Sequence, residues 1–242
     1  STSIEAAFCD SVIFSASVAA RHDYGRGRRS GFYADLLRGT PTGGRLEGYG
    51  HGFTDSFADL IAQRNDGLDL PPALSGKIAL LMLDGNGFQA RRIALMNGKG
   101  GATAAAKFSA LVRERQTELL RAVIDFARDR THMKTIPSDE RDKTPRLRIE
   151  TLLWGGDEVL LALPAWAAWD VALIVERALG DWNLPESEFP TLSPNDRQLT
   201  HAIGLVFGNY KTPIRQLRAL VGDLVDQSKE AGKDRTLVSA FA

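Results

Sequence analysis

Two aspartates stand where acid chemistry is easy to build. Asp84 ends an apolar run, Lys77 to Leu83 (KIALLML), and is followed by Gly85-Asn86-Gly87. Asp157 follows Trp154-Gly155-Gly156 and precedes Glu158. Carboxylates beside glycine-freed backbone suit a hard cation such as Mg2+ (or Mn2+). Such an ion takes oxygen ligands and keeps waters and phosphates in its shell. Gly85 and Gly87 leave backbone amides free to approach a triphosphate. Gly155 and Gly156 remove side chains where a nucleotide would lie over a hairpin. A metal pair in this setting polarises an α-phosphate and activates a 3′-hydroxyl for in-line attack. Each aspartate alone reads first as a turn former, since Asp is common beside Gly in loops. Their convergence is what points to a metal.

The elements around them supply that convergence. Residues 77–83 predict a buried strand stopped by a loop. Apolar residues from Phe108 to Ala127 recur at helical spacing, predicting one long helix from about Thr103 to Arg128. Residues 128–146 are charged, contain Pro137 and Pro145, and read as a solvated loop. Leu147 to Leu153 and Glu158 to Leu163 predict two strands joined by a tight Gly155-Gly156 hairpin. A helix from about Ala165 to Gly180 follows, then a strand from Leu199 to Phe207. Ile214, Leu217, Val221, Leu224 and Val225 mark another amphipathic helix closed near Gly232, and Thr236 to Phe241 reads as a final strand. The first six elements match the β-α-β-β-α-β split unit, an α+β fold with an antiparallel sheet backed by helices on one face. In that topology the first strand lies antiparallel beside the third. The end of the first, at Asp84, then faces the start of the third, at Asp157.

Composition sets the frame. The chain has 242 residues, 43% apolar and 25% charged, which excludes disorder, collagen and coiled coil. Lys+Arg and Asp+Glu both number 30, so whole-chain charge gives no argument for nucleic acid, and any nucleotide site is local. The single cysteine, Cys9, excludes an internal disulfide and a cysteine-rich zinc site and reads as a small buried hydrophobe. No apolar run has the length of a membrane span, and the first residues lack a signal-peptide pattern, which predicts a cytoplasmic protein. The chain divides near Ser75–Gly76. Residues 1–75 are expected to form a Gly/Arg-rich lead-in packed on residues 76–242.

Other chemistry-bearing residues carry blander readings. His22-Asp23 invites a metal-phosphohydrolase reading but lacks the further ligands such a site needs. Arg21, Arg26, Arg28 and Arg29, with Tyr24 and Tyr33 nearby, read as a solvated face or as a clamp for RNA or nucleotide phosphates. Gly98-Lys99-Gly100-Gly101 reads as a flexible connection, since its order does not match a Walker loop. Trp154, Trp166, Trp169 and Trp182 read as packing.

Strand-Asp84-Gly-Asn-Gly-Phe88, a long helix, and Leu-Trp-Gly-Gly-Asp157-Glu158 in a hairpin together resemble the GGDEF and nucleotide-cyclase palm superfamily. His201-Ala-Ile-Gly-Leu-Val-Phe-Gly-Asn-Tyr210-Lys211-Thr-Pro213-Ile is similar to a segment in palm domains of the large polymerase-like subunit of type III CRISPR effectors. Ser228-Lys229-Glu-Ala-Gly232-Lys233-Asp-Arg235 resembles the basic segment that ends the GGDEF domain. The resemblance covers roughly Lys77 to the C-terminus. It implies a ferredoxin-like palm domain over residues 76–242, and a nucleotidyltransferase or cyclase that makes cyclic or linear oligonucleotides from ATP or GTP. It further implies Asp84 and Asp157 as catalytic metal ligands with Glu158 assisting, and Gly85 supplying a carbonyl or amide. Asn86, Gly87, Phe88, Gly155, Gly156, Lys229 and Lys233 would face the nucleotide. The first motif is Asp-Gly-Asn rather than Asp-x-Asp, and the second lacks the terminal Phe. With one palm, the chain is expected to work as a homodimer or beside other effector subunits, with RNA as a possible partner and no membrane. The end at Ala242, on a strand, fits a piece of a longer chain. The alternatives are a non-catalytic palm scaffold in a CRISPR-like ribonucleoprotein and a signalling diguanylate cyclase.

Overall fold

The computed structural model describes residues 6–9 and 12–15 as backbone, and residues 31–38, 52–54, 56–61, 67–135 and 145–241 in full. The chain forms two compact units, residues 1–47 and 48–242. In the first, Ala6–Cys9 pairs antiparallel with Val12–Ser15, and residues 31–36 are helical. The second holds a five-stranded sheet of β1 (Lys77–Gly85), β2 (Glu150–Gly155), β3 (Glu158–Pro164), β4 (His201–Asn209) and β5 (Leu237–Phe241), in the order β2-β3-β1-β4-β5. No helix among the described residues is long and apolar enough to cross a membrane.

β1 is central, pairing antiparallel with β3 on one side and β4 on the other. A strand buried on both faces must be apolar on both, which is why residues 78–81 form an unbroken apolar run with no exposure. The β-α-β-β-α-β core is antiparallel throughout, as the pattern predicts, while β5 runs parallel to β4. Parallel pairing needs a crossover, supplied by helix α4, Ile214–Ala231.

Three other long helices precede it: α1 (Phe88–Asn97), α2 (Gly101–Arg128) and α3 (Ala168–Leu179). Leu217 and Val221 of α4 pack on Ile78, Leu80, Leu160, Ala162 and Val206. The residues between these on each strand face the other way, where Trp169 of α3 meets Phe207. Helices therefore cover both faces, not one, because the β4-α4-β5 crossover closes the face that a six-element core leaves open. α4 lies close to the sheet at Gly204, where an added Cβ would stand 2.6 Å from the Val221 carbonyl oxygen.

Three local readings are corrected. The run after Asp84 contains a separate helix, α1, before the long one. Only Phe88 and Leu95 of α1 are buried, while Ile93 and Met96 are half exposed, so its apolar residues form no stripe that periodicity detects. Gly98–Gly101 is the joint between α1 and α2. Residues 128–146 are not loop throughout: Lys134–Thr135 pairs with Arg146–Leu147, and Met133 is fully buried. Of the tryptophans, Trp182 is buried and Trp169 is 52% exposed.

Candidate functional site

The acids meet at one end of the sheet. Asp84 and Glu158 are directly opposite in the β1–β3 register, and Asp157 lies in the two-residue turn between β2 and β3. Paired residues share a face, and like charges directly opposite destabilise a sheet. Lys229, in the last turn of α4, offsets this by placing Nζ 2.5 Å from Asp84 Oδ2. Burial raises the Asp157 carboxyl above the usual carboxylate range, against its own backbone hydrogen bond. The charge of Asp84 pushes the same way, and Lys229 and Arg92 oppose it.

This donor set suits a hard divalent cation. Two carboxylates sit within each other's field, and the one that has lost hydration holds its proton too strongly unless more positive charge arrives. Among the described residues no three His, Cys, Asp or Glu side chains cluster. Backbone carbonyl, water and phosphate oxygens would therefore complete the shell.

The glycines divide by role. An added Cβ at Gly85 would stand 2.6 Å from the Phe88 ring, so glycine lets that ring fold under the strand end. Gly87 (φ +70°) precedes α1, whose first amides have no partner within the helix. Gly156 (φ +62°) forms the hairpin turn, and Gln116 Nε2 on α2 donates to its carbonyl at 3.0 Å. Gly155 is exposed and open, with nothing within 4 Å of an added Cβ. Asn86 is turned inward and is 3% exposed. Its N–H donates to the Thr200 carbonyl at 2.9 Å, its Nδ2 to Thr200 Oγ1 at 3.1 Å, and its carbonyl accepts from Arg91. Lys233 is exposed beyond α4.

Beside Asp157 and Gly156 opens a cleft of about 410 Å3. Phe88, Phe108 and Val112 give it an apolar wall, and Gln89, Ser109, Arg92 and Arg113 give it polar groups. The sequence reading names Phe88 but neither arginine. No motif marks them, and only the packing of α1 against α2 brings them together. The Arg21–Arg29 cluster, His22-Asp23 and the Cys9 side chain lie outside the described residues.

Beneath Phe88 lies His201, 2% exposed, its ring 5.1 Å from that of Phe88 and 4.7 Å from that of Trp182. Burial lowers its pKa from 6.5 to about 3. A histidine whose folded pKa is depressed gives its full stability above its unfolded pKa and loses it as pH falls from there towards the folded value. The protein should thus lose about 2 kcal/mol between pH 7.5 and pH 5 from this group alone. Urea unfolding of His201→Phe should show that loss largely removed. An unchanged acid slope would clear His201 of the effect.

No family model and no curated protein matches the chain. Solved structures do. The GGDEF domain of DgcB from Caulobacter crescentus, in complex with c-di-GMP, is 15% identical, with 68% of this chain and 77% of that one covered and a TM-score of 0.43. Csm1 from T. onnurineus is 14% identical, with a TM-score of 0.47, and 76% of this chain matches 23% of it. The Csm1-Csm4 cassette in complex with one ATP is 16% identical, with a TM-score of 0.44, over 68% of this chain and 20% of that one.

Proposed function

We propose that the chain is a metal-dependent nucleotidyltransferase or nucleotide cyclase of the palm type. Its substrate would be ATP or GTP, its product a cyclic or linear oligonucleotide messenger, and its setting an antiviral response like that of type III CRISPR. One observation carries this reading: Asp84 stands at the end of β1 and Asp157 sits in the β2–β3 turn at the same end of the sheet, near enough for the charge of one to act on the other, beside an apolar-walled cleft with cationic groups. Asp84 and Asp157 would hold Mg2+ or Mn2+, with the Gly85 backbone beside them. When bound, the metal polarises the α-phosphate and favours ionisation of the attacking 3′-hydroxyl.

The chain's own groups do the rest. Asp157 must lose its proton before it can ligate, and its raised pKa makes metal binding fall away at a higher pH than for an ordinary aspartate. Lys229 neutralises Asp84 and supplies a cation for the triphosphate. The Gly87–Phe88 amides at the α1 terminus present donors to phosphate oxygens. Phe88, Phe108 and Val112 exclude water along the cleft wall. Lys229→Ala should weaken triphosphate binding by about 1.5–3 kcal/mol, the worth of a charge-assisted contact. Calorimetry showing an equal loss for nucleoside and triphosphate would reduce Lys229 to packing.

Bond formation between two nucleotides requires the second to be held in line at short range. One Asp84/Asp157 pair per chain points to two sites facing across a two-fold axis. Specific activity should rise with protein concentration below the dimerisation constant. Strict proportionality in a demonstrated monomer would contradict this arrangement.

A second reading is a scaffold palm that binds nucleotide or RNA without turnover. The Lys229–Asp84 pair favours it, because one carboxylate oxygen is already matched to a cation. Inactivity rescued by RNA or a partner subunit would favour an effector component. A diguanylate cyclase is distinguished by GTP use without RNA.

A further inference from the structure

We infer that Thr200 is a positioning residue that fixes the spacing of the two segments offered to a triphosphate: the β1–α1 loop and the end of α4. The inference rests on the nucleotide reading above. Thr200 stands just before β4 at the acid end of the sheet and is 4% exposed. A hydroxyl has one proton to give and lone pairs to accept with. Here each is used on a different segment. Oγ1 accepts from Asn86 Nδ2 at 3.1 Å and donates to the Lys233 carbonyl at 2.7 Å. The Thr200 carbonyl takes the Asn86 N–H as well, at 2.9 Å.

The partners' own geometry supports the assignment. Asn86 turns its N–H, its Nδ2 and its carbonyl to the protein, the last towards Arg91, so it anchors the loop. Lys233 follows Gly232, the residue that ends α4, and Lys229 lies in the last turn of that helix. A second tie reaches the same connection, where the His201 N–H donates to Thr236 Oγ1 at 3.3 Å. Thr200 does not line the cleft. Its effect is on where the loop amides and Lys229 stand relative to each other, and a functional constellation tolerates only about half an ångström of drift.

Thr200→Val keeps the shape but removes donor and acceptor together. Calorimetry with α,β-methylene ATP and GTP plus Mg2+, and with adenosine and guanosine, reads the result in the full chain. Triphosphate affinity should fall about tenfold while nucleoside affinity stays within about twofold, and Thr200→Ser should restore the triphosphate affinity. An equal loss for both ligand classes, no loss at all, or no rescue by serine overturns the proposal. Should Thr200→Val fail to fold, Asn86→Ala breaks the loop side of the joint. The same phosphate-selective loss there supports the assignment, and unchanged triphosphate binding overturns it. A wild-type chain that binds neither triphosphate overturns the nucleotide reading and this inference with it. A wild-type chain that binds while Thr200→Val binds equally overturns the inference alone.

Discussion

Asp157→Ala is expected to lower pyrophosphate release from ATP or GTP by at least about a thousandfold, because on the proposed reading it would remove a ligand whose charge acts where metal and phosphates meet. Stability should move the other way. Burial disfavours the ionised Asp157 carboxyl, so its folded pKa lies above the unfolded one. A raised carboxylate costs stability above its folded pKa and none below its unfolded pKa. The alanine variant should therefore melt no lower than the wild type at neutral pH, and the difference should vanish in acid. Loss of activity accompanied by a large fall in Tm would mean that Asp157 serves the turn rather than the metal.

The second large effect concerns the frame. Gly204→Val should destabilise the protein by about 3 kcal/mol, read as a lower urea midpoint with an unchanged slope. An added Cβ at Gly204 would meet the Val221 carbonyl oxygen at 2.6 Å, Val225 Cγ2 at 3.0 Å and Val221 Cγ2 at 3.1 Å. The nearest of these is backbone, which cannot rotate away. α4 would have to lift from β4, carrying Lys229 from Asp84. A near-neutral valine would contradict the close seating of α4.

What the sequence made legible follows from how each element earns its stability. β1 is buried on both faces and α4 on one, so a continuous apolar run and a helical stripe mark them plainly. The antiparallel split core then places Asp84 against the start of β3 by topology alone. α1 escaped because it buries only Phe88 and Leu95. Cover on the second face was not legible, since which face a crossover helix takes depends on strand order rather than on its own pattern. Within the site, the meeting of the two glycine-flanked aspartates at one sheet end was readable from the strand order. The inward turn of Asn86 was not, because its partner, Thr200, is distant in sequence and carries no motif. Arg92 and Arg113 look like solvated helix charges until α1 and α2 pack together. Lys229 was legible as a basic residue near the end of a helix, but its pairing with Asp84 depends on the seating of α4.

The most direct test of metal-dependent nucleotidyl transfer is incubation with labelled ATP or GTP and Mg2+ or Mn2+, with products resolved by size and linkage. It should be run with and without RNA and with Asp84→Ala as control. The account predicts pyrophosphate release and a 3′–5′ linked product from at least one of the two nucleotides, lost in Asp84→Ala and on chelation of the metal. No linked product from either nucleotide, with either metal and with RNA present, would contradict it.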